Sequence, residues 1–233
     1  FGMYFARIPL ISAPGIRNAN ALRLDWNDVL PAERCSYVLG NPPFVGAKLL
    51  GDAQRADTRL VFDGVDNAGL LDLVAAWYVK ATRYMQSAPA IRTAFVSTNS
   101  ITQGEQVGVL WSWMLSQGIH IQYAHRTFSW SNEARGNASV HCVIIGFGLH
   151  DYPNKKIYEY ADIKGVPLAK NARNINPYLV DAPNIVLPRR RIPICDVPEI
   201  GIGNKPIDGG NYLFSTSERD AFIALEPKSK KWF

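Results

Sequence analysis

The sequence predicts an α/β fold built on a largely parallel sheet. Short apolar stretches typical of buried strands alternate with segments whose apolar residues recur at helical spacing, and this alternation favours a parallel sheet. The 233 residues are 47% hydrophobic and 19% charged, a composition typical of a globular chain with a sizeable core. No apolar run approaches the roughly 18 residues that a membrane span needs, so no membrane partner is expected.

The first predicted strand covers residues 36–40 and runs directly into Asn41-Pro42-Pro43-Phe44. Proline fixes φ and removes a backbone donor, so the chain must leave the strand along a stiff path. Residues 51–69 are polar and show no clear period, which predicts a loop. An amphipathic helix is predicted over 68–86 because its apolar residues recur at helical spacing. These are Leu70, Leu73, Val74, Trp77, Ala81 and Met85.

Residues 92–98 form the second predicted strand. After it, Thr102 and Glu105 make a T-x-x-E pattern, a capping box that predicts the start of a second helix. This helix should end at Gly118. Its predicted buried stripe is Val107, Leu110, Trp111 and Met114.

Residues 119–128 alternate as a third strand, and residues 140–147 are apolar nearly throughout as a fourth. No helical segment separates these two strands, so we expect them to pair antiparallel. The expected sheet places the fourth strand between the second and the third.

Past Gly148 the character of the sequence changes. Residues 152–165 predict one further strand or hairpin. From about Asn176 the chain is rich in Pro, Gly and Asn with little periodicity, which indicates a mixed, irregular module. We therefore expect one domain over 1–160 and the beginning of another over 177–233, with a boundary between residues 151 and 177.

The net charge of +5 and the pI near 9.1 suit an acidic partner. Basic residues concentrate at Arg189-Arg190-Arg191 and at 228–231. An arginine triplet behind a proline is a candidate for contact with the phosphates of DNA. The alternative is a solvated or ion-paired surface segment.

Cysteine usage predicts no metal site. Cys35, Cys142 and Cys195 lie far apart and lack metal-ligand spacing. His141 and Cys142 are neighbours in a predicted strand, so their side chains point to opposite faces and cannot share a ligand. Reduced thiols in a cytosolic protein fit this pattern best.

The residues that follow the first strand carry the clearest chemical signal. Ligands of open parallel sheets bind at the carboxyl edge, where Asn41 to Phe44 should lie. The Asn41 carboxamide and the Pro42 carbonyl each offer an acceptor oxygen, and Phe44 offers a stacking face. These groups suit a planar base with an exocyclic NH₂, because two acceptors would localise the amine lone pair for attack on an electrophilic methyl. The alternative is a rigid turn at the end of a strand.

Asn41 to Phe44 resembles the (D/N/S)-P-P-(Y/F/W) motif of amino-group methyltransferases that use S-adenosylmethionine. The wider stretches "YVLGNPPFVGAK", "STNSITQGEQV", "HRTFSWSNEARGNASVHCVIIGF" and "CDVPEIGIGNKPIDGGNYLF" resemble the adenine-methylating part of bacterial type IIG restriction–modification proteins. The resemblance implies the C-terminal half of a Rossmann-like class I sheet, with family strands in the order 4-5-7-6 and the last strand antiparallel. It also implies methylation of the exocyclic amine of a flipped adenine in double-stranded DNA.

The same resemblance implies roles for individual residues of the Asn41-Pro42-Pro43-Phe44 motif. Asn41 and Pro42 would hold the adenine amine, and Phe44 would stack on the flipped base. Phe128, at the end of the third strand, matches the position that stacks on the other face of the base. Its alternative role is that of a core aromatic residue.

The stretch "NANALRLDW" is similar to the segment that touches the adenine of the cofactor, and Asn20 is the first candidate there. Asp25 is the alternative, and it can equally be a helix N-cap or a turn residue. The Gly-rich loop of the family has no counterpart before Asn41. Two later G-x-G patterns, at 146–148 and 201–203, lack the strand–turn–helix context of such a loop.

These departures predict a fragment of a longer polypeptide whose S-adenosylmethionine site is incomplete. We expect the fragment to be inactive alone, with the remainder of the same polypeptide as its partner. Two other classes stay open. One is a methyltransferase for RNA bases or protein glutamine, and the other is a non-catalytic DNA-binding module.

Overall fold

A computed structural model of the chain describes residues 15–130, 140–188, 190, 192, 195–197, 209 and 213–233. Its contacts divide the chain into two compact units, Phe1–Arg189 and Arg190–Phe233. Within the described part, no helix is long and apolar enough to cross a membrane.

The first unit is built on a six-stranded sheet in the order β1-β2-β4-β3-β5-β6. β1, β2, β3 and β5 run parallel to one another, and β4 and β6 run antiparallel to their neighbours. The strands are β1 Tyr37–Gly40, β2 Arg92–Thr98, β3 His120–Trp130, β4 Val140–Gly148, β5 Lys155–Glu159 and β6 Leu168–Ala172.

The predicted order of the first four strands is confirmed. β4 lies between β2 and β3 and pairs antiparallel with both, so that Thr98, Cys142 and Phe128 lie side by side across three strands. The further strand or hairpin expected over 152–165 is β5, which pairs antiparallel with β6. β6 lies beyond the expected range and extends the sheet past residue 160.

The predicted loop over 51–69 is wrong in its first half, because Asp52–Val61 forms a helix, α1. The buried residues of α1 are Asp57, Thr58 and Val61. Two of these three are polar, so the buried face of the helix left no hydrophobic period in the sequence.

The next helix, α2, covers Ala75–Met85 and begins later than predicted. Ala68–Leu70 forms a separate 3₁₀ turn, and the side chain of Leu70 stays 39% exposed. The backbone N–H of Leu73 donates to the carbonyl of Val45, 2.9 Å away, in the loop that follows β1. In a helix that began at Ala68, the Leu73 N–H would instead donate to the carbonyl four residues earlier, so this bond does not allow the longer helix.

The capping box at Thr102 and Glu105 is also wrong. Thr102 lies in a 3₁₀ turn, Asn99–Thr102, and its hydroxyl donates to the Asn99 carbonyl at 2.8 Å. The helical stretch starts after it, as α3 Gly104–Gln106, a π-helical segment Val107–Trp111 and α4 Ser112–Ser116. The predicted buried stripe of this stretch is confirmed: Val107, Leu110, Trp111 and Met114 are all fully buried.

Tyr78 of α2 is the centre of the core between the helices and the sheet. Its ring stacks on Phe147 of β4 at 5.1 Å and meets Phe95 of β2 edge-on at 5.2 Å. Trp111 contacts the same ring at 6.1 Å. The Tyr78 hydroxyl lies 2.7 Å from the Ser97 Oγ atom of β2, and burial raises the pKa of Tyr78 well above its ordinary value.

In the second unit, α5 covers Thr216–Leu225. Ser215 and Glu218 cap it reciprocally, because the Ser215 Oγ atom accepts from the Glu218 N–H and the Glu218 carboxylate accepts from the Ser215 N–H. Phe222 of α5 packs with Phe214 and Phe233, and the ring centroids of the three lie 5.2 to 6.2 Å apart. A 3₁₀ segment, Pro227–Trp232, follows.

We predict that Tyr78→Phe loosens β2 without unfolding the protein. The substitution leaves the buried Ser97 hydroxyl without its partner, which costs about 1–3 kcal/mol. Hydrogen exchange of β2 peptides in the intact protein should accelerate accordingly. The matched control is Tyr84→Phe on the same helix, whose hydroxyl donates to the Leu30 carbonyl and does not touch β2. Equal β2 exchange in wild type and Tyr78→Phe would contradict the central role of this contact.

Candidate active site

Asn41-Pro42-Pro43-Phe44 directly follows β1 at the carboxyl end of the strand. Asn41 and Pro43 are exposed, Phe44 is half-buried and Pro42 is buried. Within the described residues, the Asn41 side chain has no hydrogen-bond partner, so its carboxamide is open to a ligand.

Gly40 is needed where the chain leaves the strand. A Cβ atom at this position would lie 3.2 Å from two ring carbons of Phe95, closer than ordinary van der Waals contact. The absence of a side chain therefore lets the end of β1 approach the aromatic core directly. The start of the motif rests on that core.

The parallel direction of β1, β2, β3 and β5 brings their carboxyl ends to one edge of the sheet. Four side chains lie at this edge, each near the end of a different strand: Asn41, Ser100, Phe128 and Tyr160. The register thus places Asn41 and Phe128 at the same edge. We predict that Asn41, Phe44 and Phe128 line one cleft at this edge.

Asp72 connects the loop after β1 to the loop after β2. Its Oδ1 atom accepts from the Ala47 backbone N–H at 2.8 Å, and its Oδ2 atom accepts from the Ser100 hydroxyl at 2.7 Å. Sequence reasoning missed this residue. The available signal was a lone carboxylate between Leu71 and Leu73, two leucines that are both buried.

Phe128 follows an irregularity in β3, where the pairing register with β4 shifts between His125 and Phe128. Such bulges redirect side chains and are frequent next to active sites. The half-buried Phe128 ring stacks on Tyr160 at 5.4 Å, and the Tyr160 hydroxyl lies 2.8 Å from the His125 Nδ1 atom. His125 in turn stacks on Tyr158 at 4.2 Å, and burial lowers the pKa of His125. The Phe128 ring is therefore held by its contact with Tyr160, which His125 and Tyr158 hold in turn.

The candidate cofactor residue Asn20 is exposed but held in place. Its Nδ2 atom donates to the Asp57 Oδ2 atom at 2.7 Å, and its Oδ1 atom accepts from the Leu22 N–H at 2.9 Å. The Nε atom of Arg23 lies 2.5 Å from the other Asp57 oxygen. Burial tends to raise the pKa of Asp57, but the bonds from Arg23 and Asn20 outweigh it and leave the pKa below its ordinary value.

Asp25 has the capping role that was its alternative. Its carboxylate accepts from the Asn27 N–H at 2.9 Å and caps the 3₁₀ turn Trp26–Asp28. Asp25 also lines a cavity of about 640 Å³ between this segment and α2. Lys80 lines the same cavity, but its ammonium donates to the carbonyls of Leu22 and Leu24 and is therefore used to hold the segment.

The remaining candidates are the three arginines at 189–191. Arg190 is exposed and belongs to no helix or strand, whereas Arg189 and Arg191 lie outside the described residues. Among the residues that the structure does describe, no group of three or more His, Cys, Asp or Glu side chains could hold a metal ion. Cys142 is buried, and burial raises the pKa of its thiol to about 11.

A sheet in this order, with Asn-Pro-Pro-Phe at the carboxyl end of its first strand, is the C-terminal half of a Rossmann-like class I methyltransferase sheet. A family model described as "MmeI, DNA-methyltransferase domain" matches residues 1–159, more than half of the chain. The chain belongs to this family. A second model, "MmeI, target recognition domain", matches residues 181–233.

Two relatives agree with the family. The solved structure of the type IIL restriction–modification enzyme MmeI in complex with DNA is 58% identical, with a TM-score of 0.84, over 99% of this chain and 31% of that one. DNA methyltransferase A of Bacillus subtilis (strain 168) is 40% identical over 228 residues, 97% of this chain and 25% of the relative. The chain thus spans a third or less of these relatives. MmeI is a type IIL enzyme, whereas the sequence resemblance had indicated type IIG.

We predict that Asp57→Asn destabilises the protein at neutral pH by about 1–3 kcal/mol, because Arg23 loses a charged partner. The folded-state pKa of Asp57 is depressed, so its contribution is complete above the ordinary value of about 3.9 and is lost as the pH falls through the folded-state pKa. The difference in thermal unfolding midpoint between wild type and Asp57→Asn should therefore shrink from pH 7 to pH 3.

The control is Asp52→Asn, an exposed carboxylate on the same helix that forms no hydrogen bond or ion pair with a described residue. Asp52→Asn removes only a charge in the first turn of α1, worth about 0.3–1 kcal/mol through the helix dipole, so it should lower the midpoint at pH 7 less than Asp57→Asn does. A midpoint difference for Asp57→Asn that stays constant down to pH 3 would show that the ion pair does not supply the stability.

Proposed function

We propose that this chain is the part of a restriction–modification protein that holds a flipped adenine of double-stranded DNA for methylation of its exocyclic amine. The observation that carries the proposal is the open carboxamide of Asn41 at the carboxyl end of β1, followed by the buried, rigid Pro42. The family match, the DNA in the MmeI complex and the name of the Bacillus subtilis relative support DNA as the substrate.

The chemistry follows from two acceptors. The lone pair of the adenine amine is delocalised into the ring, so the nitrogen is a poor nucleophile. The Asn41 Oδ1 atom and the Pro42 carbonyl accept the two amine hydrogens and favour a nitrogen with a localised lone pair. The nitrogen needs a localised lone pair most at the moment when it attacks the methyl group. The two contacts therefore stabilise the transition state more than the bound base.

Base extrusion requires compensation for lost stacking and pairing, a cost of a few kcal/mol. In the proposal, Phe44 stacks on one face of the flipped adenine and Phe128 on the other. The stack of Phe128 on Tyr160, and the Tyr160 hydroxyl near His125, support this role because they fix the Phe128 ring before the base arrives.

The methyl group would come from S-adenosylmethionine. Beyond the bonds to Asp57 and Leu22, the Asn20 carboxamide keeps one N–H and one oxygen lone pair, the donor and acceptor that a purine edge requires. Asp25, in the same segment as Asn20, would offer its carboxylate to the cofactor. Asn20 and Asp25 therefore fit the adenine part of the cofactor. The Gly-rich loop that holds the methionine part in the family has no counterpart before Asn41 in this sequence.

In this proposal, the two parts of the chain belong to two different domains. Residues 1–160 form part of the methyltransferase domain, and residues 177–233 begin a target-recognition module, in agreement with the range of the second family model. The intact polypeptide would complete the cofactor site, and the fragment alone would not turn over.

We predict that Asn41→Ala in the intact protein lowers methyl transfer to duplex DNA by at least about 10²-fold, because it removes one transition-state acceptor. DNA affinity should stay largely unchanged. The assay measures transfer from labelled S-adenosylmethionine to a DNA duplex, an RNA oligonucleotide and a glutamine peptide. Asn171→Ala, an exposed Asn on β6, is the control.

The three substrates and the Asn41→Ala variant distinguish the alternative functions. Transfer to RNA or to the peptide in preference to DNA would reject DNA as the substrate. Full activity of Asn41→Ala would reject the catalytic role and favour a non-catalytic DNA-binding module.

We also predict that at least one of Arg189, Arg190 and Arg191 contacts a DNA phosphate, so that its replacement by Ala weakens DNA binding about equally across sequences. Loss of a phosphate contact should lower the slope of log affinity against log salt by roughly 0.9. Fluorescence anisotropy at several salt concentrations measures both quantities. The control is Arg219→Ala, since Arg219 pairs with Asp220 at 2.7 Å. Three variants with wild-type slope and affinity would mean that the triplet is a solvated surface, and an altered target sequence would mean base readout.

A further inference from the structure

The loop after β1 depends on residues that lie about 25 positions further along the chain. The Ala47 N–H donates to the carboxylate of Asp72, and the Val45 carbonyl accepts from the Leu73 N–H, at 2.8 and 2.9 Å. The sequence separation of the first bond is 25 residues. Two adjacent residues, Asp72 and Leu73, therefore hold the segment that begins immediately after Phe44.

The same Asp72 carboxylate also reaches the loop after β2. The Ser100 hydroxyl donates to its second oxygen at 2.7 Å and lies 2.7 Å from the Thr98 hydroxyl at the end of β2. The Asp72 backbone N–H donates to the Gln106 side-chain oxygen at 3.1 Å. One residue thus links the loops after two neighbouring strands and the start of the following helical stretch.

The local environment strengthens these bonds. Asp72 is half-buried between Leu71 and Leu73, both of which are almost fully buried. A carboxylate that accepts from an N–H and a hydroxyl in partly apolar surroundings forms shorter and stronger hydrogen bonds than the same groups in water.

We infer that Asp72 is a positioning residue for methyl transfer: it fixes Asn41 to Phe44 relative to the carboxyl end of β2. Only Val45 and Gly46 separate Phe44 from the Ala47 bond, so a shift at Ala47 is passed on to the motif. The inference rests on the proposed function, because the geometry it protects is that of the two acceptors around the adenine amine. Misplacement of such groups by about 1 Å costs on the order of 10²-fold in rate.

The test uses the intact protein and a duplex with the target adenine. It measures the single-turnover rate of methyl transfer, DNA affinity and the thermal unfolding midpoint. Asp72→Ala should lower the rate by about 10²-fold. Ser100→Ala removes one of the two bonds and should lower it less. Asp72→Asn keeps an acceptor for Ala47 and can donate to Ser100, so it should recover most of the loss.

Asp52→Ala is the matched control, an exposed carboxylate a few residues after the same loop. It should keep the wild-type rate. The inference requires a fall in single-turnover rate at constant DNA affinity, measured well below the unfolding midpoint of each variant, because a merely structural role would lower the rate only as far as it lowers the folded fraction. Where Asp72→Ala does not fold, Ser100→Ala and Asp72→Asn decide in the same way.

Two failures are distinguishable. A wild-type rate in Asp72→Ala or Ser100→Ala, together with a lost rate in Asn41→Ala, overturns the positioning role alone. Absence of methyl transfer in the wild-type protein, or full activity of Asn41→Ala, overturns the proposed function and the positioning role with it.

Discussion

The contact of Tyr78 with the sheet is the interaction on which the rest of this structure depends. Its ring touches both strands of the central antiparallel pair, through Phe95 of β2 and Phe147 of β4, and its hydroxyl reaches Ser97. Burying a large ring with its hydroxyl satisfied contributes apolar area and also fixes orientation. The helix α2 is therefore locked to the two strands that set the order of the sheet.

This core extends directly to the candidate active site through Phe95. The Phe95 ring meets Tyr78 edge-on. The same ring packs against Gly40, the last residue of β1, and leaves no room there for a Cβ atom. The position from which Asn41 leaves the sheet is thus set by packing that originates in α2. A rigid element beneath the motif suits a reaction that requires two acceptors in fixed positions, since preorganised groups need no rearrangement as charge develops.

The first four strands could be predicted because three are apolar runs and β3 alternates, and their order because no helix separates β3 from β4. The helices were less predictable where polar residues are buried. Asp57 and Thr58 on the inner face of α1 erased its hydrophobic period, and the Leu73 bond to Val45 set the start of α2. Tyr78 itself was absent from the predicted stripe, because its position between Trp77 and Ala81 extends the buried face beyond one narrow stripe.

The candidate site shows the same division between what a sequence displays and what it hides. Asn41 to Phe44 could be placed at the carboxyl edge, because a strand followed by two prolines has to end there. The polar bonds around it join residues 25 to 37 positions apart: Ala47 to Asp72, Ser100 to Asp72, and Asn20 to Asp57. Such pairs follow neither a helical nor a strand period. Apolar packing therefore positions the strands of this protein, whereas single buried or half-buried carboxylates position the loops around the candidate site.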